Sequence, residues 1–65
     1  MTPILRQLIA TRPFRPFRLV LTGGWEVPVS SPASITIPDD ETARVHTDDG
    51  RLHIIDLNHL VEIRS

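Results

Sequence analysis

The chain has 65 residues, no Cys, and a net charge of −1 with its three His counted neutral. Those figures exclude disulfides and thiolate metal sites, and they argue against a surface that binds nucleic acid indiscriminately. A domain this small buries only about 60% of the surface its unfolded chain exposes, so oligomerisation is the expected support.

The charge is unevenly spread. Residues 1–38 carry Arg6, Arg12, Arg15 and Arg18 against Glu26 alone, and the acidic residues concentrate in the second half. The longest apolar run falls far short of the ~20 residues of a membrane span. The N-terminus lacks the pattern of a secretory leader. The expectation is a cytoplasmic protein with no membrane partner.

Thr2 reads as an N-cap and Pro3 as a first helical residue. Ile4, Leu5, Leu8 and Ile9 make one apolar stripe, so a helix is predicted over about 3–11. Pro13 stops it. Arg12-Pro13-Phe14-Arg15-Pro16-Phe17 follows, a doubled Arg-Pro-Phe. It reads as a stiff connector that anchors Phe14 and Phe17 in the core. The alternative is a basic–aromatic surface for RNA, with Arg6, Arg12, Arg15 and Arg18 on phosphates.

A hairpin over residues 17–29 organises the rest. Phe17, Leu19 and Leu21 share a face with Trp25, Val27 and Val29 only if the loop has three residues, Thr22-Gly23-Gly24. The predicted loop is a type I turn with Gly24 in the left-handed region, followed by a bulge. Pro28 points to the other face and marks an edge. Ile35-Thr36-Ile37 is a short strand. A second hairpin is predicted around a two-residue Asp49-Gly50 turn of type I′. That register pairs Thr47 with Leu52, Val45 with Ile54 and Ala43 with Asp56 on the core face. It sets His46 directly opposite His53 on the outer face, where the two imidazoles are a candidate metal pair with Asp48 beside them. Leu57-Asn58-His59 is a bend. Asp56 and His59 are a candidate acid–base pair, set against a turn held by Asp56 and Asn58.

The fold class expected is mainly β. A short helix precedes a five-stranded, strongly bent antiparallel sheet, a small Sm-like or SH3-like barrel in one domain. Its strands are predicted at about 17–22, 25–30, 34–37, 42–48 and 51–56, with a bent final strand at 60–64. Two stretches resemble the Sm-like fold in outline. They are Leu19-Val20-Leu21-Thr22-Gly23-Gly24-Trp25-Glu26-Val27 and His53-Ile54-Ile55-Asp56-Leu57-Asn58-His59-Leu60-Val61-Glu62-Ile63. The resemblance implies a ring that binds RNA, as in the related Hfq proteins. Asp56-Leu57 stands where the Sm motif has Arg-Gly, and Leu57-Asn58 where Hfq has Lys-His. Residues 12–21 and 56–63 also resemble short bacterial proteins, common in planctomycetes, with an Arg-Pro-Phe-x-Pro-Phe start. That resemblance implies no activity.

No nucleophile setting, phosphate loop or framed carboxylate pair is present. The core leaves little room for a pocket of ~300 Å³ or more. The expectation is a non-catalytic interaction module with no cofactor and no small-molecule substrate. It self-associates through edge strands near Pro28 and the last strand, with RNA as the alternative partner.

Overall fold

The structure, a computed structural model, describes residues 2–65. Helix α1 (Thr2–Ala10) buries Leu5 completely and packs Leu8 and Ile9 against the core. Ile4 falls off this stripe and is exposed. Thr2 lies inside the helix. Its hydroxyl donates to the Asp40 carbonyl at 3.0 Å, and Arg6 donates to the Ile37 carbonyl at 3.4 Å. Both bonds tie α1 to residues 37–40. Carbonyls left open at the helix end are taken by side chains: Thr11 Oγ1 donates to Gln7 at 2.7 Å and Arg12 to Ile9 at 2.8 Å. The connector contains a cis Arg12–Pro13 bond. It delivers Phe17 to the core, with the Phe14 ring 5.9 Å away and tilted.

Six strands follow: β1 (Phe17–Leu21), β2 (Glu26–Val29), β3 (Ile35–Asp39), β4 (Thr42–His46), β5 (Leu52–Asp56) and β6 (Leu60–Arg64). They form two separate three-stranded antiparallel sheets, ordered β2-β1-β6 and β3-β4-β5. This corrects the expected single five-stranded bent sheet and with it the Sm-like or SH3-like barrel. Neither sheet closes or curls strongly. Local chemistry explains the break. Ser30-Ser31 leads into a 3-10 turn at Pro32–Ser34, so β2 cannot run on into β3. The chain changes sheets again through a 3-10 turn at Leu57–His59, capped by Asp56, which accepts from the Asn58 N–H at 2.9 Å.

Buried residues of both sheets meet in one cluster. Phe17, Leu19, Val27 and Val29 come from the first sheet, and Ile35, Ala43, Val45 and Ile55 from the second. Leu5 and Leu57 join them from the helix and the 3-10 turn.

The first hairpin has the predicted register, with Phe17 opposite Val29 and Leu19 opposite Val27. Its loop is the three residues Thr22-Gly23-Gly24. Leu21 donates to the Trp25 carbonyl at 2.7 Å and Gly24 to the Leu21 carbonyl at 2.9 Å. Gly24 has φ +86°, as required. Gly23 is also positive, at +90°, which fits a type II turn and not type I. Trp25 does not join the core. It is 74% exposed, with its indole edge beside Gly23.

The second hairpin departs from prediction by one residue. Val45 pairs with His53, Ala43 with Ile55, Arg44 with Ile54 and His46 with Leu52. Thr47 donates to the Arg51 carbonyl at 2.9 Å and Gly50 to the Thr47 carbonyl at 3.0 Å. The loop is therefore Asp48-Asp49-Gly50, with Gly50 alone at positive φ. A type I′ turn would need positive φ at Asp49 too. Burial decides the matter. The predicted register turned the Asp56 carboxylate into the core, where an unpaired charge is costly. The observed one sends Ile55 inward and leaves Asp56 to cap the next turn.

Candidate functional site

The one-residue shift remakes the outer face of the second sheet. Leu52 and Ile54, placed in the core by the predicted register, stand outside at 49% and 69% exposure. They lie beside His46 and Arg44 of β4. His53 faces the interior side, half-buried next to Val45, with Nε2 3.4 Å from Thr47 Oγ1. The expected opposition of His46 and His53 is thus corrected: the two imidazoles occupy opposite faces. Among the described residues no group of three or more His, Asp or Glu side chains converges to hold a metal ion.

The backbone of β5 shows which edge is open. Arg51 gives its carbonyl to Thr47, and Leu57 gives its N–H to Glu41 at 2.8 Å. Residues alternate in an antiparallel ladder, so Arg51, His53, Ile55 and Leu57 address β4. Leu52, Ile54 and Asp56 must then point their N–H and C=O groups the other way. β5 ends its sheet, so those groups have no strand beside them. A groove of about 400 Å³ lies between Leu21, Trp25, Glu26 and Val27 on one wall and Leu52, His53, Ile54 and Ile55 on the other. It is an open surface groove, larger than the core size led one to expect.

Other edges are defended. β2 carries Glu26 and Pro28. β3 carries Pro38 and Asp39, and its pairing with β4 is interrupted between Thr36 and Asp39. β6 has its register broken where Val61 is extra between Leu60 and Glu62. Bulges, prolines and charges are the devices that keep edge strands from pairing with other chains. β5 has five consecutive regular pairs with β4 and no proline.

The first sheet presents a different outer face. Glu26 lies 3.6 Å from Arg18 and 3.7 Å from Arg64, and Arg64 donates to Glu62 at 3.0 Å. Val20 pairs with Glu26 on one side and Glu62 on the other, and it is only 8% exposed among these charged arms. The Arg64 guanidinium holds the Glu62 carboxyl below its ordinary range, and Glu62 raises Arg64 in return.

Among the four arginines named for RNA, Arg6 and Arg12 donate to backbone carbonyls and Arg18 faces Glu26. Arg15, in the connector, is exposed. Asp56 and His59 stand 3.7 Å apart, both exposed, with Asp56 engaged as a cap. The sequence pattern did not decide which face of β5 is open. Leu52 and Ile54 alternate with His53 and Ile55, and either pair can be the inner one.

No helix among the described residues is long and apolar enough to cross a membrane. Comparison with known proteins finds no family model, no curated protein and no solved structure that matches this chain.

Proposed function

We propose that this chain is a non-catalytic interaction module that self-associates through the β5 edge. One observation carries the reading: the edge strand with neither proline nor bulge is also the one that exposes Leu52 and Ile54, across a groove from Trp25. Exposed apolar side chains next to unpaired backbone groups supply both contributions that strand addition needs, apolar burial and main-chain hydrogen bonds. A small core makes the gain from association large relative to the stability of one chain.

Light scattering across a concentration series tests it. The expected mass exceeds the 7.3 kDa of one chain and falls toward it on dilution. The double variant Leu52→Ser, Ile54→Ser is expected to stay at one chain's mass. A wild type that remains monomeric at ~1 mM protein, weaker than any functional self-association in the affinity scale, overturns the proposal.

A further inference from the structure

We infer that β5 pairs antiparallel with β5 of a second copy about a two-fold axis at His53. Leu52 of each chain then lies opposite Ile54 of the other. The inference rests on self-association being what the chain does, and it fixes the partner, the register and the symmetry.

Three observations select this arrangement. The first is which backbone groups are free. Leu52 and Ile54 both point N–H and C=O away from β4, as set by the bonds at Arg51 and Leu57. In an antiparallel pair, residues that exchange hydrogen bonds sit opposite one another. Leu52 against Ile54 of the second copy, and the reverse, satisfies four of these groups in each chain.

The second is facing. A two-fold axis perpendicular to the sheet keeps outer faces together, so the two paired residues must have the same parity in β5. Registers centred on His53, Ile54 and Ile55 meet that condition; the last sets Ile54 against the Asp56 carboxylate twice, and two remain. One sets Ile54 against Ile54 and leaves each Leu52 opposite the Asp56 carboxylate. The other, centred on His53, matches Leu52 with Ile54 twice and places all four exposed apolar side chains in one row. Cross-strand apolar pairs are the favourable unit of sheet association, and a carboxylate against leucine is not.

The third is extent. A standard interface buries about 800 Å² per partner, a little under one fifth of this chain's 4474 Å² surface. Beside the β5 edge, the groove continues the surface as far as the wall at Trp25. Among the described residues every other edge carries a proline or a bulge, so a two-fold pair uses up the one edge that has neither, and growth stops at two. The joined product is a six-stranded sheet.

The chain has no native Cys, which allows a direct test with single thiols. Residues opposite each other without mutual hydrogen bonds lie ~4.5 Å apart at Cα, within disulfide reach. On mild oxidation His53→Cys is expected to give a covalent dimer, with Ile54→Cys at least about 10-fold slower. The untouched protein gives a second readout by amide exchange. Leu52 and Ile54 amides are expected to slow as concentration rises, while those of Val61 and Arg64 do not. Ile54→Asp is expected to raise the dissociation constant at least ~30-fold, the effect of removing one well-buried interface side chain.

Faster cross-linking of Ile54→Cys overturns the register. A dimer by mass whose Leu52 and Ile54 amides stay unprotected overturns the β5 interface and leaves self-association standing. A chain monomeric at every concentration overturns both, and leaves the edge to an extended segment of another protein.

Discussion

The two hairpins of this chain have loops of one length, closed by the same hydrogen bonds but by different turn types, and opposite outer faces. In each, a three-residue loop ends in a glycine at positive φ, and the same pair of hydrogen bonds closes it: Leu21 to Trp25 and Gly24 to Leu21, Thr47 to Arg51 and Gly50 to Thr47. Beyond the loops they diverge. On the first hairpin Val20 is covered by Arg18 and Glu26 and, from β6, by Arg64 and Glu62. The second leaves Leu52 and Ile54 in water. Loop geometry sets the register, and side-chain choice on the outer row then decides whether a face is closed or available.

The largest effect expected separates the inner row of the first hairpin from the outer row of the second. Leu19→Ala empties a fully buried site and should lower unfolding free energy by about 2–5 kcal/mol. Leu52→Ala, already half outside, should lose under about 1 kcal/mol in dilute solution. Urea denaturation of both variants measures this. Equal losses would mean that β5 is turned the other way.

Next comes a comparison of outer rows. Val20→Ala removes two sheltered carbons and should cost about 1.5 kcal/mol. Ile54→Ala should stay within about 0.5 kcal/mol for the isolated chain. A thermal melt in which Ile54→Ala is the worse of the two would place the shelter on the wrong sheet.

A substitution in the second loop has a sign that depends on turn type. Asp49 would need positive φ in a type I′ turn, and glycine there would stabilise. In the observed loop its φ is negative, and its carboxylate accepts from Thr47 Oγ1 and the Arg51 N–H. Asp49→Gly should therefore destabilise by about 1 kcal/mol. A gain would restore the two-residue turn.

The smallest effect is electrostatic. Thr47 hydrogen bonding, aided by Arg51, lowers the Asp49 carboxyl, and Arg64 lowers Glu62. A carboxyl whose folded pKa lies below its unfolded one stabilises above the unfolded value, and that contribution is lost as pH falls through the folded value. Melting temperature should drop between roughly pH 5 and roughly pH 3, slightly less in Asp49→Asn and in Glu62→Gln. A larger drop in either variant would contradict the assignment.

Much of this was legible in the residues, and the failures share a cause. Counting apolar positions on both arms placed the first hairpin in register, because six apolar side chains agreed on one face. It could not place Trp25, whose indole lies against a glycine of its own loop. In the second hairpin the Asp49-Gly50 dipeptide outweighed the face count, although the face count alone would have flagged Asp56 as misplaced inside. The two-His site followed from that register and fell with it. The division into two sheets was written in Pro32 and in the capping Asp56, but the sequence does not say which strands a break will separate. The open edge could not be read until β5 had a direction.

The loop Asp48-Asp49-Gly50 also has a meaning for how this surface could be gained or lost. Side chains alternate with a period of two, so a slip of one residue in this loop would rotate the whole of β5 by one position. Such a slip would make Asp49-Gly50 a two-residue turn, with Asp48 in place of Thr47 opposite Arg51. Leu52 and Ile54 would exchange places with His53 and Ile55, and the apolar row would vanish from the outside without a single substitution. A chain with this architecture therefore stands one step of hairpin register away from a face that does not attract a copy of itself.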